Sequence, residues 1–180
     1  MSMISARNIR APLVDSAAKI SFLVMTHFLA ERIIFAKKEH HMKILILNGP
    51  NLNLLGSRQT DIYGSENFDT FLQKVKKEYP EIDFDYHQSN IEGELIDQLH
   101  AARGKYDGIV LNAGAYTHTS VAIADAVTAI DVPVVEVHVS NIFKREDFRQ
   151  ISFIAPVARG TISGFGLQSY LLAIESFRME

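Results

Sequence analysis

LILNGPNLNLLGSRQTDIYG, residues 45–64, joins an apolar Leu/Ile run to a long polar loop, and its first half decides the fold. The run closed by Asn48, Gly49 and Pro50 reads as a buried strand that ends abruptly. The loop that follows exceeds the length of about a dozen residues at which structureless connections become uncommon in compact domains. It keeps apolar anchors at Leu52, Leu54, Leu55 and Ile62 and presents Asn51, Asn53, Arg58 and Tyr63 between them. Such a set can bind an anion and handle a proton, so the loop is expected to be an active-site lid.

From this strand onward, β-like runs alternate with helix-period segments, the pattern of a parallel sheet covered by helices. Strands are expected at 43–47, 82–87, 109–111 and 134–139. The second alternates Ile82, Phe84 and Tyr86 with Asp83, Asp85 and His87, as an edge strand does. Phe68, Phe71, Leu72, Val75 and Tyr79 share one helical face, with Ser65 or Asn67 as cap and Pro80 beyond the end. Ile91, Leu95, Ile96 and Leu99 mark a second helix ended by Gly104. A third starts at Thr119 or Ser120 and runs to Ile130, and a last one carries Leu167, Tyr170, Leu171 and Ile174. These strand candidates with helices between them argue for a flavodoxin-like, doubly wound five-stranded parallel sheet with helices on both faces.

Composition sets bounds. With 47% hydrophobic and 22% charged residues in 180, the chain is an ordinary globular one of single-domain size. It has no cysteine, which removes disulfides, thiolate chemistry and Cys-based zinc sites and fits a reducing cytoplasm. A net charge of −3 offers no basic surplus for nucleic acid. Residues 1–41 hold six Lys/Arg and three Asp/Glu, whereas residues 42–180 hold twelve and eighteen, so the composition shifts near Met42. The apolar stretch 20–30 is shorter than the roughly 20 residues of a membrane span, and no small-x-small cleavage site follows it. Residues 1–41 are read as an amino-terminal extension, either a helical accessory segment with Ile20, Leu23, Val24 and Phe28 on one face or translated upstream sequence with Met42 as the natural start, and 42–180 as one catalytic domain.

In doubly wound sheets, ligands sit beyond the carboxyl ends of the strands, where the strand order reverses. Those ends carry residues 48–51, 112–118 and 136–140. Glu136 and His138 interrupt a valine-rich strand two positions apart and so share a face. They read either as a pair on a partly exposed face or as a histidine placed to transfer a proton. The 112–118 segment leads into a helix amino terminus, where free N–H groups favour oxygen-rich ligands. Taken alone, it is equally a plain connecting turn, and His118 and Asp125 within or after it are ordinary polar residues. Tyr63, with an intrinsic pKa near 10, needs a cation such as Arg58 within about 4–6 Å to serve as a base; otherwise it is a packing anchor. Gly164-Phe165-Gly166 lacks the context of a dinucleotide site and is read as shaping a turn. No metal-ligand spacing and no nucleophile elbow occurs.

Together, ILNGPNLNLLGSRQTDIYG, HQSNIEGELID, LNAGAYTHTSVAIADA, PVVEVHVSNIFKREDFR and GFGLQSYLLAI make residues from about Met42 onward resemble the type II 3-dehydroquinate dehydratases. The resemblance implies reversible anti dehydration of 3-dehydroquinate to 3-dehydroshikimate through an enolate, without metal, organic cofactor or Schiff base. It places the general base on Tyr63, its positive partner on Arg58, and the asparagine that holds an enolate-stabilising water on Asn51. The general acid falls on His138, oriented by Glu136. Substrate contacts fall on Asn112, His118, Val139, Ser140 and Arg149, and Asp125 matches a residue that reaches a neighbouring subunit's site. The family's assembly, trimers arranged as a dodecamer, implies a homo-oligomer. A non-catalytic flavodoxin-like module holding FMN or phosphate at the same strand ends is the rival, but it leaves the linked Arg58, Tyr63 and His138 unexplained.

Overall fold

A computed structural model describes residues 41–56 and 67–179. The apolar runs become five parallel strands: β1 (Met42–Asn48), β2 (Ile82–Gln88), β3 (Gly108–Asn112), β4 (Val134–His138) and β5 (Gly160–Ser163). Between them lie α1 (Phe68–Glu78), α2 (Glu92–Ala101) and α3 (Val121–Thr128), and α4 (Gln168–Arg178) closes the fold. The sheet order is β2-β1-β3-β4-β5, so the winding reverses between β1 and β3. This is the doubly wound, flavodoxin-like arrangement expected from the alternation of runs.

Side chains alternate across β1, β3 and β4, and each face meets its own helices. Ile44, Ile46, Val110, Val135 and Val137 pack with Phe71, Val75, Tyr170 and Ile174 of α1 and α4. Leu45, Leu47, Ile109, Leu111 and Val134 pack with Leu95, Leu99, Ile123 and Val127 of α2 and α3. Truncating one of the fully buried members, such as Leu111, to alanine costs roughly 2–5 kcal/mol.

Local signals set the element ends. The Asn67 side chain accepts the Thr70 N–H and caps α1, and Ser120 does the same for α3 through the Ile123 N–H. The latter helix stops at Thr128, short of the expected Ile130, because the chain must turn before Pro133 and β4. The β2 strand lies at a sheet edge with Asp83 and Asp85 exposed. The fifth strand, to which the sequence pattern assigns no residues, is four residues long and half polar, and it forms the opposite edge. Residues 140–153 contain two single 3-10 turns, Ile142–Lys144 and Asp147–Arg149.

Candidate active site

The parallel register brings the carboxyl ends of β1, β3 and β4 together. Asn48 stands beside Asn112, and Leu111 beside Glu136. The loops that leave β1 and β3 touch closely: the Gly49 N–H donates to the Asn112 carbonyl at 2.7 Å. A Cβ on Gly49 would stand 2.4 Å from the Ala113 carbonyl oxygen, so only glycine permits this approach.

On β4, period 2 puts Glu136 and His138 on the same face, as expected, but that face is not partly exposed. Both side chains are buried, with His138 Nε2 3.1 Å from Glu136 Oε1. The contact is close but not a well-aligned hydrogen bond, since Nε2 finds no partner in hydrogen-bond geometry. Glu136 is surrounded by hydroxyl donors. Ser152 Oγ lies 2.8 and 3.1 Å from its two oxygens, Thr161 Oγ1 at 3.1 Å and Thr117 Oγ1 at 3.2 Å. Burial alone pushes this carboxyl up, yet the His138 ring and the Ser152 and Thr161 hydroxyls outweigh it and hold the group below its ordinary value. A buried carboxylate is tolerated because it is this fully supplied with donors.

The His118 ring lies nearly parallel to that of His138, centroids 6.3 Å apart. Its Nδ1 is 2.6 Å from the Ile151 carbonyl, which can only accept, so Nδ1 carries the proton. That leaves Nε2 to accept from Arg145 Nη1 at 3.4 Å. Burial lowers the pKa of His118 most; the Ile151 carbonyl opposes this, and the nearby Arg145 guanidinium and His138 ring lower it further. The neutral ring is therefore favoured. Arg145 also donates to Ser140 Oγ from Nε at 3.2 Å and from Nη2 at 2.5 Å, joining Ser140 and His118 into one polar rim beside His138.

Asn51, just beyond β1, sits in the left-handed region, at φ 66° and ψ 0°, a conformation asparagine tolerates better than most residues. Its N–H donates to Asn90 Oδ1 at 2.9 Å. Gln88 braces the same spot, donating from Nε2 to Asn90 Oδ1 and to the Gly49 carbonyl, both at 3.2 Å. Asn112 turns its side chain away from solvent. Its amide nitrogen donates to the Tyr170 hydroxyl at 2.8 Å and its Oδ1 accepts the Gly114 N–H at 3.3 Å. The Val139 and His138 carbonyls accept the N–H groups of Gly166 and Gly164, both at positive φ, so the GFG turn both leads into α4 and ties down the end of β4.

Not every expected position joins this cluster. Arg149 is half exposed, 3.8 Å from Glu146 and with its guanidinium over the Phe148 ring. Arg145, which the sequence pattern did not single out, is the arginine at Ser140. Asp125 lies exposed on α3. Arg58 and Tyr63, expected to form the basic half of the site, lie outside the described residues. The hydroxyls around Glu136 were also unmarked in the sequence. Thr161 stands opposite Glu136 only through the β4–β5 register, and that register could not be known before β5 was placed. Among the described residues no group of three or more His, Asp or Glu side chains is gathered as a metal site would need.

Fold and site together define a flavodoxin-like α/β protein in which Glu136, His138 and His118 gather at the carboxyl edge of the sheet, near the reversal of strand order. The family model described as Dehydroquinase class II matches residues 42–178, and the chain belongs to that family. It is 51% identical over 139 residues to the 3-dehydroquinate dehydratase of Caldicellulosiruptor saccharolyticus, an alignment spanning 76% of this chain and 96% of that one. It is 56% identical over 135 residues to the 3-dehydroquinate dehydratase of Trichodesmium erythraeum, covering 74% and 90%. Among solved structures, the type II dehydroquinase of Butyrivibrio crossotus superposes with a TM-score of 0.74 at 45% identity, covering 77% of this chain and 98% of that one.

Proposed function

We propose that this protein is a 3-dehydroquinate dehydratase of the shikimate pathway, which leads to chorismate and the aromatic amino acids. The reaction is reversible anti elimination of water through an enolate, giving 3-dehydroshikimate. The observation that carries the reading is the buried Glu136–His138 pair, beside a rim of His118, Ser140 and Arg145, in a chain of this family.

In the proposed reaction the Tyr63 phenolate, stabilised by Arg58, removes the proton α to the ketone, and the electron pair becomes an enolate. A water held by Asn51 donates to that oxyanion. The enolate then collapses, the C–O bond to the β-hydroxyl breaks, and His138 protonates the leaving oxygen so that it departs as water. Glu136 fixes the ring of His138 and balances its positive charge. Asn112, His118, Ser140, the Val139 backbone and Arg149 are assigned to the substrate's hydroxyls and carboxylate. No metal, organic cofactor or Schiff base takes part.

The protein is further proposed to act in the cytoplasm as a homo-oligomer, a dodecamer built from trimers. Phe143, Phe148 and Ile151 are exposed apolar side chains on the segment that borders the site, a surface suited to a second copy. Asp125, exposed on α3, would reach a neighbour's site. Among the described residues no helix is long and apolar enough to cross a membrane.

Purified protein mixed with 3-dehydroquinate tests the reading. An ultraviolet-absorbing enone should accumulate to equilibrium; a homogeneous, assembled preparation that forms none would overturn it.

A further inference from the structure

Asn48 and Asn112 are register partners at the ends of β1 and β3, with both side chains turned toward α4. The Tyr170 hydroxyl is inserted between them. It donates to Asn48 Oδ1 at 2.8 Å and accepts from Asn112 Nδ2 at 2.8 Å. All three side chains are withdrawn from water, at 0%, 3% and 0% exposure for Asn48, Asn112 and Tyr170, so no solvent molecule can substitute for a lost partner. The directions follow from the Gly114 backbone. Its N–H can only donate, so Asn112 Oδ1 faces it and Asn112 Nδ2 faces the phenol. The hydroxyl therefore accepts from Asn112, and its single proton goes to Asn48 Oδ1, while Asn48 Nδ2 is left without a partner among the described residues.

The ring of Tyr170 is held as firmly as its hydroxyl. It packs edge-on against Phe68 at 5.0 Å and lies 5.9 Å from Phe71, both on α1. Nothing in hydrophobic packing requires the oxygen; phenylalanine would fill the same space. A hydroxyl kept in a closed layer and bonded, among the described residues, only to two asparagines at adjacent strand ends has its consequence at those strand ends.

We propose that Tyr170 is a positioning residue: its hydroxyl, anchored on Asn48, locks the Asn112 amide and so presets the 112–118 loop that carries His118 into the site. The proposal rests on the dehydratase reading for its kinetic consequence, but not for the lock itself. Tyr170 touches no reacting atom. Its effect belongs to substrate binding, because the loop must already be ordered when substrate arrives; without the lock, part of the binding energy goes into ordering it.

Tyr170→Phe, Asn112→Ala and the double variant, compared with the wild type in steady-state kinetics, thermal unfolding and side-chain amide exchange by NMR, test this. Tyr170→Phe is expected to raise KM for 3-dehydroquinate about five- to tenfold, the scale of one lost buried hydrogen bond, and to change kcat less than about twofold. In the Asn112→Ala background the tyrosine substitution should add less than about twofold, because it acts through that asparagine. An unchanged KM with a lowered Tm would reduce Tyr170 to a packing residue and overturn the proposal, as would independent, multiplying effects. Should Asn112→Ala fail to fold, Asn48→Ala, which removes the anchor, must shift KM in the same direction; no shift overturns the lock. The Asn112 side-chain amide should exchange slowly in the wild type and fast in Tyr170→Phe, and equal exchange also overturns it. Wild-type protein that does not turn over 3-dehydroquinate sinks the dehydratase reading instead, and the exchange measurement still decides the lock.

Discussion

His138 Nε2 lies 3.1 Å from Glu136 Oε1, with both side chains buried at the carboxyl end of β4. A buried, fully bonded carboxylate is costly to remove, because the ring and the three hydroxyls that face it are left without their partner in a low dielectric. Glu136→Ala should therefore destabilise the fold by on the order of 3–5 kcal/mol in urea unfolding, and Glu136→Gln should lower turnover while unfolding closer to the wild type. Stability of the wild type should decline as pH falls through the depressed pKa of Glu136, below its ordinary value of 4.5, because there the unfolded chain binds the proton more readily. The Gln variant should lack that component.

Arg145 lowers the pKa of His118 from 3.4 Å away, in addition to the larger effect of burial. Arg145→Leu should raise the His118 midpoint in an NMR titration, and an unmoved midpoint would show that the contact does not persist in solution. Because the folded-state pKa lies below the ordinary 6.5, wild-type stability attributable to His118 is complete above that value and is lost as pH falls through the folded midpoint. The variant should lose less stability over that interval.

Gly49→Ala should be disruptive although it adds one methyl group. The new Cβ would meet the Ala113 carbonyl at 2.4 Å, and the backbone on one side must yield. A loss of roughly 1–3 kcal/mol is expected, with KM raised because the two loops that separate are those that border the site. A Tm equal to the wild type would mean that the loops are not in contact.

Tyr63→Phe should abolish detectable turnover while a substrate-like inhibitor still binds by calorimetry. Lost folding would instead identify Tyr63 as the packing anchor of the lid segment, and retained turnover would remove it as the base.

Exhaustive chelation should leave activity intact, and so should borohydride added with substrate. Inactivation by chelation would mean a required metal, and inactivation by borohydride an imine with a lysine; either outcome would replace the phenolate mechanism.

The alternation of apolar runs and helical faces was enough to indicate a doubly wound parallel sheet, because strands buried on both sides and helices buried on one have different periods. The same local chemistry narrowed the caps to Ser65 or Asn67 and to Thr119 or Ser120, put β2 at an edge, and showed Glu136 and His138 to share a face. Other features depend on contacts between residues far apart in the chain, to which period and spacing are blind. The four-residue β5 takes its identity from pairing with β4, and Thr161 becomes a donor to Glu136 only through that register. The choice of Arg145 over Arg149 at Ser140 follows from how two 3-10 turns aim their side chains. Burial of the Glu136–His138 pair depends on hydroxyls from three separate segments, and Tyr170 meets Asn48 across 122 positions. Sequence period determined which face of each element turns inward; only the packed structure decided which polar groups on those faces met a partner, since a hydrogen bond depends on distance in space and not along the chain.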